Sequence, residues 1–98
     1  MDIESADLQP VRQATEEDLT RLFAADLATP LTLVRNYGDR LHAAASGSDR
    51  YRLAYYEAVT GHWHEATAPL TAAQVKDAFF DYFQGNWNWH NCFEWRTM

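Results

Sequence analysis

LTLVRNYGDRLHAAASGSDRYRLAYYEAVTGHWHEA, residues 31–66, decides the fold. Leu31, Leu33 and Tyr37 alternate with Thr32, Val34 and Asn36. Leu41, Ala43 and Ala45 follow Gly38-Asp39, and Tyr51, Leu53, Tyr55 and Val59 follow the SGSD run. A period of two broken by turn residues about every ten positions is the pattern of short strands. A further segment, HWHEATA, comes after Thr60-Gly61. Connections this short allow only antiparallel neighbours, because a parallel pair needs a crossover of a dozen or more residues. The expectation is an antiparallel meander of three or four strands.

Helical signals flank the meander. Downstream, PLTAAQVKDAFFDYFQG (69–85) places Thr71 and Gln74 as a capping box, with Leu70 and Val75 at the two staple positions. Ala72, Val75, Ala78, Phe79, Tyr82 and Phe83 share one arc, and Gly85 stands where a left-handed cap ends a helix. Phe80 falls beyond the edge of that arc, near Lys76 and Ala73. Upstream, Thr15 precedes Glu16, Glu17 and Asp18, an N-cap followed by charges that favour a helix start. Leu19, Leu22, Phe23 and Leu27 continue at helical spacing, with Asp26 on the same stripe, as far as Thr29-Pro30.

GNWNWHNCFEWRTM, residues 85–98, holds three of the four tryptophans. If it returns as an extended tail after Gly85, then Trp87, Trp89, Phe93 and Trp95 point one way and cover Phe80 and the helix flank. Alternatively, one or two of these rings stay exposed as binding anchors. The fold class expected is α+β: an antiparallel meander flanked by an N-terminal helix and a C-terminal helix, closed by an aromatic tail over 86–98. Residues 1–13 read as an N-terminal arm, disordered at its start, and residues 1–98 as one domain.

Composition narrows the function classes. With 47% hydrophobic and 14% aromatic residues the chain is globular. Its formal charge of −6 opposes binding to a phosphate backbone. MDIESADLQP is acidic where a secretory signal needs a basic start, and no apolar run approaches the roughly 18 residues of a membrane span, so the chain reads as cytoplasmic with no membrane contact. Cys92 is the only cysteine, so no intramolecular disulfide forms.

Catalytic patterns are lacking. The chain has no nucleophile elbow, no phosphate-cradling glycine loop and no metalloprotease histidine pair. Glu57 and Glu65 are placed to approach each other across adjacent strands as an acid and base pair. Cys92 beside His90 has no orienting third group for a thiolate nucleophile. His62 with His64, and His90 with Cys92, offer two ligand pairs for a tetrahedral metal, but the spacing matches no common zinc signature. No enzyme, cofactor or metal is expected.

Surface charge and aromatics point instead to a protein partner. Glu16, Glu17 and Asp18 cluster at one helix start, and Asp77 and Asp81 are like charges at i,i+4. Such acidic faces steer a basic partner. With Tyr56, Trp63 and Trp89 as exposed rings, these residues are the candidate partner-binding set.

The order of strands, then PLTAAQVKDAFFDYFQG, then a closing FEW (93–95) resembles the small immunity proteins of bacterial polymorphic toxin systems. The resemblance covers the helix and tail best; the N-terminal helix and GNWNWHNC have no counterpart in it. It implies an intracellular, non-catalytic inhibitor that binds one cognate toxin, a basic toxin or nuclease, and occludes its active site. It carries over no individual contact residue. Two other classes fit the same features: a phage-type inhibitor of a host defence nuclease, and a homodimeric scaffold paired through an open sheet edge.

Overall fold

The computed structural model describes residues 1–5, 8–24 and 30–98. Its elements run β1 (Asp2–Ser5), β2 (Leu8–Val11), α1 (Glu16–Ala24), β3 (Leu31–Val34), β4 (Arg40–Gly47), β5 (Arg50–Glu57), β6 (His62–Ala66), α2 (Ala72–Gln84), α3 (Asn88–Asn91) and β7 (Trp95–Thr97). The strands form one seven-stranded sheet in the order β2-β1-β3-β4-β5-β6-β7, with every neighbouring pair antiparallel.

This corrects the expected architecture of three or four strands between two helices. The meander exists as β3 to β6, but it is only the middle of the sheet. The segment read as an N-terminal arm, disordered at its start, supplies the antiparallel pair β1–β2 on one side, and part of the tail adds β7 on the other. These strands escape a pattern search for a physical reason. DIES and LQPV show no apolar alternation, and Ile3 is the one buried side chain of β1. β2 is an outermost strand, which is where Pro10, with no N–H to donate, is tolerated.

The alternation sorts correctly within the central strands, whereas Tyr37 and Val59, expected on the inward phase, lie in turns beyond the strand ends at 63% and 96% exposure, and Ala45 near the end of β4 is exposed as well. Leu31, Leu33, Leu41, Ala43, Leu53 and Tyr55 face inward and are buried, each set opposing the next through the register pairs Leu31↔Ala43, Leu33↔Leu41, Leu41↔Tyr55 and Ala43↔Leu53. Helix α2 lies against them through Val75, Ala78, Phe79 and Tyr82. Its start is the expected capping box: Gln74 N–H donates to Thr71 Oγ1, and Thr71 N–H donates to Gln74 Oε1. Asp49, itself left-handed at φ 50°, accepts the Ala72 N–H and ties the β4–β5 turn to the same helix start. Gly85 ends the helix at φ 81°, as its position required.

Helix α1 starts with a reciprocal cap as well. Thr15 N–H donates to Asp18 Oδ2 at 2.8 Å and Asp18 N–H donates to Thr15 Oγ1, so Thr15 is the cap its sequence position implied. Leu19 is buried completely, and Phe23 meets both Phe79 and Phe80, with centroids 5.9 and 6.0 Å apart. Phe80 is therefore covered by α1, not by the tail. The expected roles of Asp26, Leu27 and Thr29 lie outside the described residues.

The tail does close the core, by a different geometry. Residues 88–91 form a helical turn, on which i and i+2 diverge by about 200° instead of sharing a face. Trp89 is thereby turned inward, 3% exposed, while Trp87 points out at 61%. Trp89 packs against Tyr55, Tyr82 and Trp95 at centroid distances of 5.2, 5.2 and 5.9 Å. The Trp95 indole N–H donates to the His90 carbonyl at 2.8 Å, pinning the start of β7 to α3. Removing a buried indole costs lost transfer energy and leaves a cavity. Trp89→Ala is therefore expected to lower unfolding stability by about 3–5 kcal/mol, whereas Trp87→Ala should cost about 1 kcal/mol or less; paired urea denaturation curves check the contrast, and equal losses would show that α3 does not orient the two rings differently.

Candidate interaction face

The side chains that alternate with the core form the other face of the sheet. Register places them in two rows across the strands. One runs Asp2, Val34, Arg40, Tyr56, Trp63; the other runs Glu4, Thr32, His42, Ala54, Glu65, Arg96. Ala44 and Arg52 begin a third. Helix α2 packs on the opposite face and α1 packs on α2, so among the described residues no helix covers this one.

A cleft of about 570 Å³ lies across it, lined by Glu4, Thr32, Arg40, His42, Ala44, Arg52, Ala54, Trp63, Glu65 and Met98. The depression arises where Ala44 and Ala54 stand among long neighbours. Trp63 forms one wall: its ring meets His42 edge-on at 6.2 Å and tilts against Tyr56 at 5.3 Å. His42 is half-buried, with Nδ1 2.8 Å from Thr32 Oγ1, and burial pushes its pKa below the ordinary value of 6.5. At neutral pH its imidazole is uncharged, so the centre of the cleft is polar without being ionic.

Charge gathers at the margins. Glu65, 16% exposed, lies 4.0 Å from Arg52 Nε and 3.4 Å from an Arg96 nitrogen, one carboxylate for two guanidiniums. Arg40 makes no ion pair among the described residues. Arg40, Arg52 and Arg96 against Asp2, Glu4 and Glu65 balance these rows at zero, in a chain whose formal charge is −6. The acidic excess is elsewhere.

The candidate residues consequently fall into three places. Tyr56 and Trp63 stand together on the open face. Glu16, Glu17, Asp18, Asp77 and Asp81 lie on the helices, on the other side of the sheet. Asp18 is held by its cap, which keeps its carboxyl below the usual range through the Thr15 N–H, and Glu17 pairs with Arg21 at 2.7 Å. Trp89, expected as an exposed ring, is interior. One surface cannot use the whole set.

The other constellations are also separated. Glu57 lies two residues from the inward-facing Tyr55 and Glu65 opposes the outward-facing Ala54, so these carboxylates project from opposite faces. His64 stacks on Tyr55 at 4.6 Å, with Nδ1 2.9 Å from Thr97 Oγ1 and Nε2 against Glu57. His90 Nε2 is 3.2 Å from Tyr55 Oη, and Cys92 is exposed. The two ligand pairs do not converge: among the described residues no three His, Cys, Asp or Glu side chains are grouped to hold a metal.

Arg40, His42 and Arg52 are absent from the candidate set, although they occupy the polar phase of β4 and β5, opposite the apolar phase that marks those strands in the sequence. Comparison with protein-family models, with curated proteins and with solved structures finds no match to this chain.

His42 provides a pH signature of the face. Because its folded pKa lies below 6.5, the unfolded chain gains a proton first as pH falls, and stability declines from about pH 6.5 down to the folded midpoint, below which the loss is complete. A proton NMR titration should place the His42 midpoint below 6.5. His42→Asn should remove that part of the decline, seen as a flatter difference in unfolding free energy against pH.

Proposed function

We propose that this chain is a non-catalytic protein-binding module that inhibits its partner by occupying it, docking through the open face of the sheet. The observation that carries this is the asymmetry of cover. Both long helices pack on one side, and the bare side carries Trp63, Tyr56 and three arginines, the residue types enriched at energetic centres of interfaces. Half-buried rings on a rigid sheet lose little conformational freedom on docking, which favours binding over fluctuation.

Toxin neutralisation is the specific form of this activity that we infer, supported by the resemblance of the strand–helix–FEW order to immunity proteins. That role brings a cytoplasmic location with it. The charge of −6 supports a partner that is basic overall, because long-range attraction depends on the whole charge distribution while local contacts depend on the docking face. Among the described residues no helix is long and apolar enough to cross a membrane. Pairing of two copies edge to edge is disfavoured, since Pro10 interrupts the β2 edge and β7 is three residues long with a cationic Arg96.

Affinity capture from source-cell lysate, with the wild type, the double variant Trp63→Ala/Arg40→Glu and the double variant Asp77→Lys/Asp81→Lys run in parallel, tests the proposal. One protein should be held by the wild type and by the helix variant, be lost by the sheet variant, and lose its own activity when the purified chain is added. Capture that survives the sheet variant and fails with the helix variant would move the docking surface to α2.

A further inference from the structure

The cleft has a chemical polarity that narrows what it can hold. Along β4, outward positions recur every second residue, at Arg40, His42 and Ala44, and successive outward positions on an extended chain are about 6.6 Å apart. Arg40 stands at one end without an ionic partner, next to Tyr56 across the β4–β5 pair. In the middle, His42 is uncharged and faces Ala54, with the Trp63 ring alongside. At the other end Arg52, 73% exposed, shares Glu65 with Arg96, so a second guanidinium is only half compensated. The succession is cationic, apolar, cationic, in a trough of the volume at which side chains or small ligands are normally accommodated.

We propose that the cleft receives an extended, carboxylate-bearing segment of the partner, with an acidic side chain met by Arg40, an apolar side chain two residues on laid over Ala54 against Trp63, and a second acidic side chain near Arg52. The inference rests on the docking role of this face and adds the chemistry of the occupant. Charge complementarity selects it: a lysine-bearing segment would meet Arg40 and Arg52 as like charges, whereas a carboxylate supplies the acceptor that a planar guanidinium binds in bidentate fashion. A partner that is basic overall and acidic at the contact satisfies both scales of the electrostatics. A nucleic-acid strand does not fit, because its unbroken run of phosphates would pass Glu4 and Glu65 in the middle row, whereas the two carboxylates of the segment stand at Arg40 and Arg52 in the rows to either side, with an apolar side chain between them.

The probe is the acetylated, amidated pentapeptide Glu-Ser-Leu-Ser-Glu, with Lys-Ser-Leu-Ser-Lys as its counterpart, each titrated into ¹⁵N-labelled full chain. The acidic peptide should shift the Ala44 and Ala54 amides and the Trp63 indole, binding about tenfold tighter than the basic one, the scale of one charge-assisted hydrogen bond. Arg40→Glu should reverse that preference while retaining the melting temperature, and Arg40→Lys should restore part of it. Equal binding of both peptides in the cleft would overturn the acidic occupant and leave the docking role intact. Shifts confined to α2, or none at millimolar peptide, would overturn the occupant as well, and the docking role is then decided on its own by whether the captured protein is inhibited.

Discussion

The width of the sheet sets the demand that the rest of the molecule answers. Seven strands spaced about 4.8 Å apart extend roughly 29 Å across, whereas two helices side by side cover about 20 Å. Helices α1 and α2 meet through Phe23, Phe79 and Phe80, with α2 against β4 and β5, which leaves about one helix width beneath β6 and β7. A further long helix is not available there. The gap is filled by the largest side chains the genetic code offers: Trp89 and Trp95 against Tyr55, with His90 stacked on Trp95 and hydrogen bonding toward the Tyr55 hydroxyl. The concentration of tryptophan in 85–98 is thus a packing solution. It is also why a four-residue helical turn carries so much consequence, since it selects which indole faces in.

Spending both helices and the tail on one face leaves the other to its own side chains. That face carries ions at its margins and an uncharged imidazole at its centre, and among the described residues no helix covers it. The result is an uneven distribution of charge: the rows of the open face balance three arginines against three carboxylates, and the net negative charge of the chain lies off them. A protein of this design presents different potentials to a partner approaching from afar and to one in contact, because distant attraction sums all charges while contact energy is dominated by those within a Debye length.

How much of this was legible follows from which interactions specify each element. Strands β3, β4 and β5 declared themselves because each buries alternate side chains, β6 because the Thr60-Gly61 turn precedes it, and α2 because its two ends carry capping residues with no other common use. The edge strands did not. β1, β2 and β7 are held by main-chain pairing to a neighbour, and main-chain groups are the same in every residue; Asp2↔Val34 and Glu65↔Arg96 leave no apolar trace in the sequence. The aromatic tail was legible as cover but not as geometry, since NWNWHN reads equally as a strand or a turn of helix. Tyr56 and Trp63 could be singled out by residue type, yet their separation from Asp77 and Asp81 is a matter of topology, invisible until the strands are assembled. The arginines of the cleft were hidden for a simpler reason: polar positions in a half-buried strand look like ordinary solvation until the face they share is known to be bare.

The same arrangement divides the chromophores of the molecule. Trp87, Trp89 and Trp95 form one coupled group on the core side, Trp87 stacked on Trp89 at 5.7 Å and Trp89 edge-on to Trp95. Trp63 is on the far side of the sheet, beside Tyr56. Light absorbed within the cluster is shared among its three indoles and reports whether the interior is assembled, whereas emission from the isolated indole reports what stands in front of the open face. Replacing Trp63 with phenylalanine therefore silences one optical channel without touching the other, and the chain carries, in four residues of one type, separate reporters of folding and of occupancy.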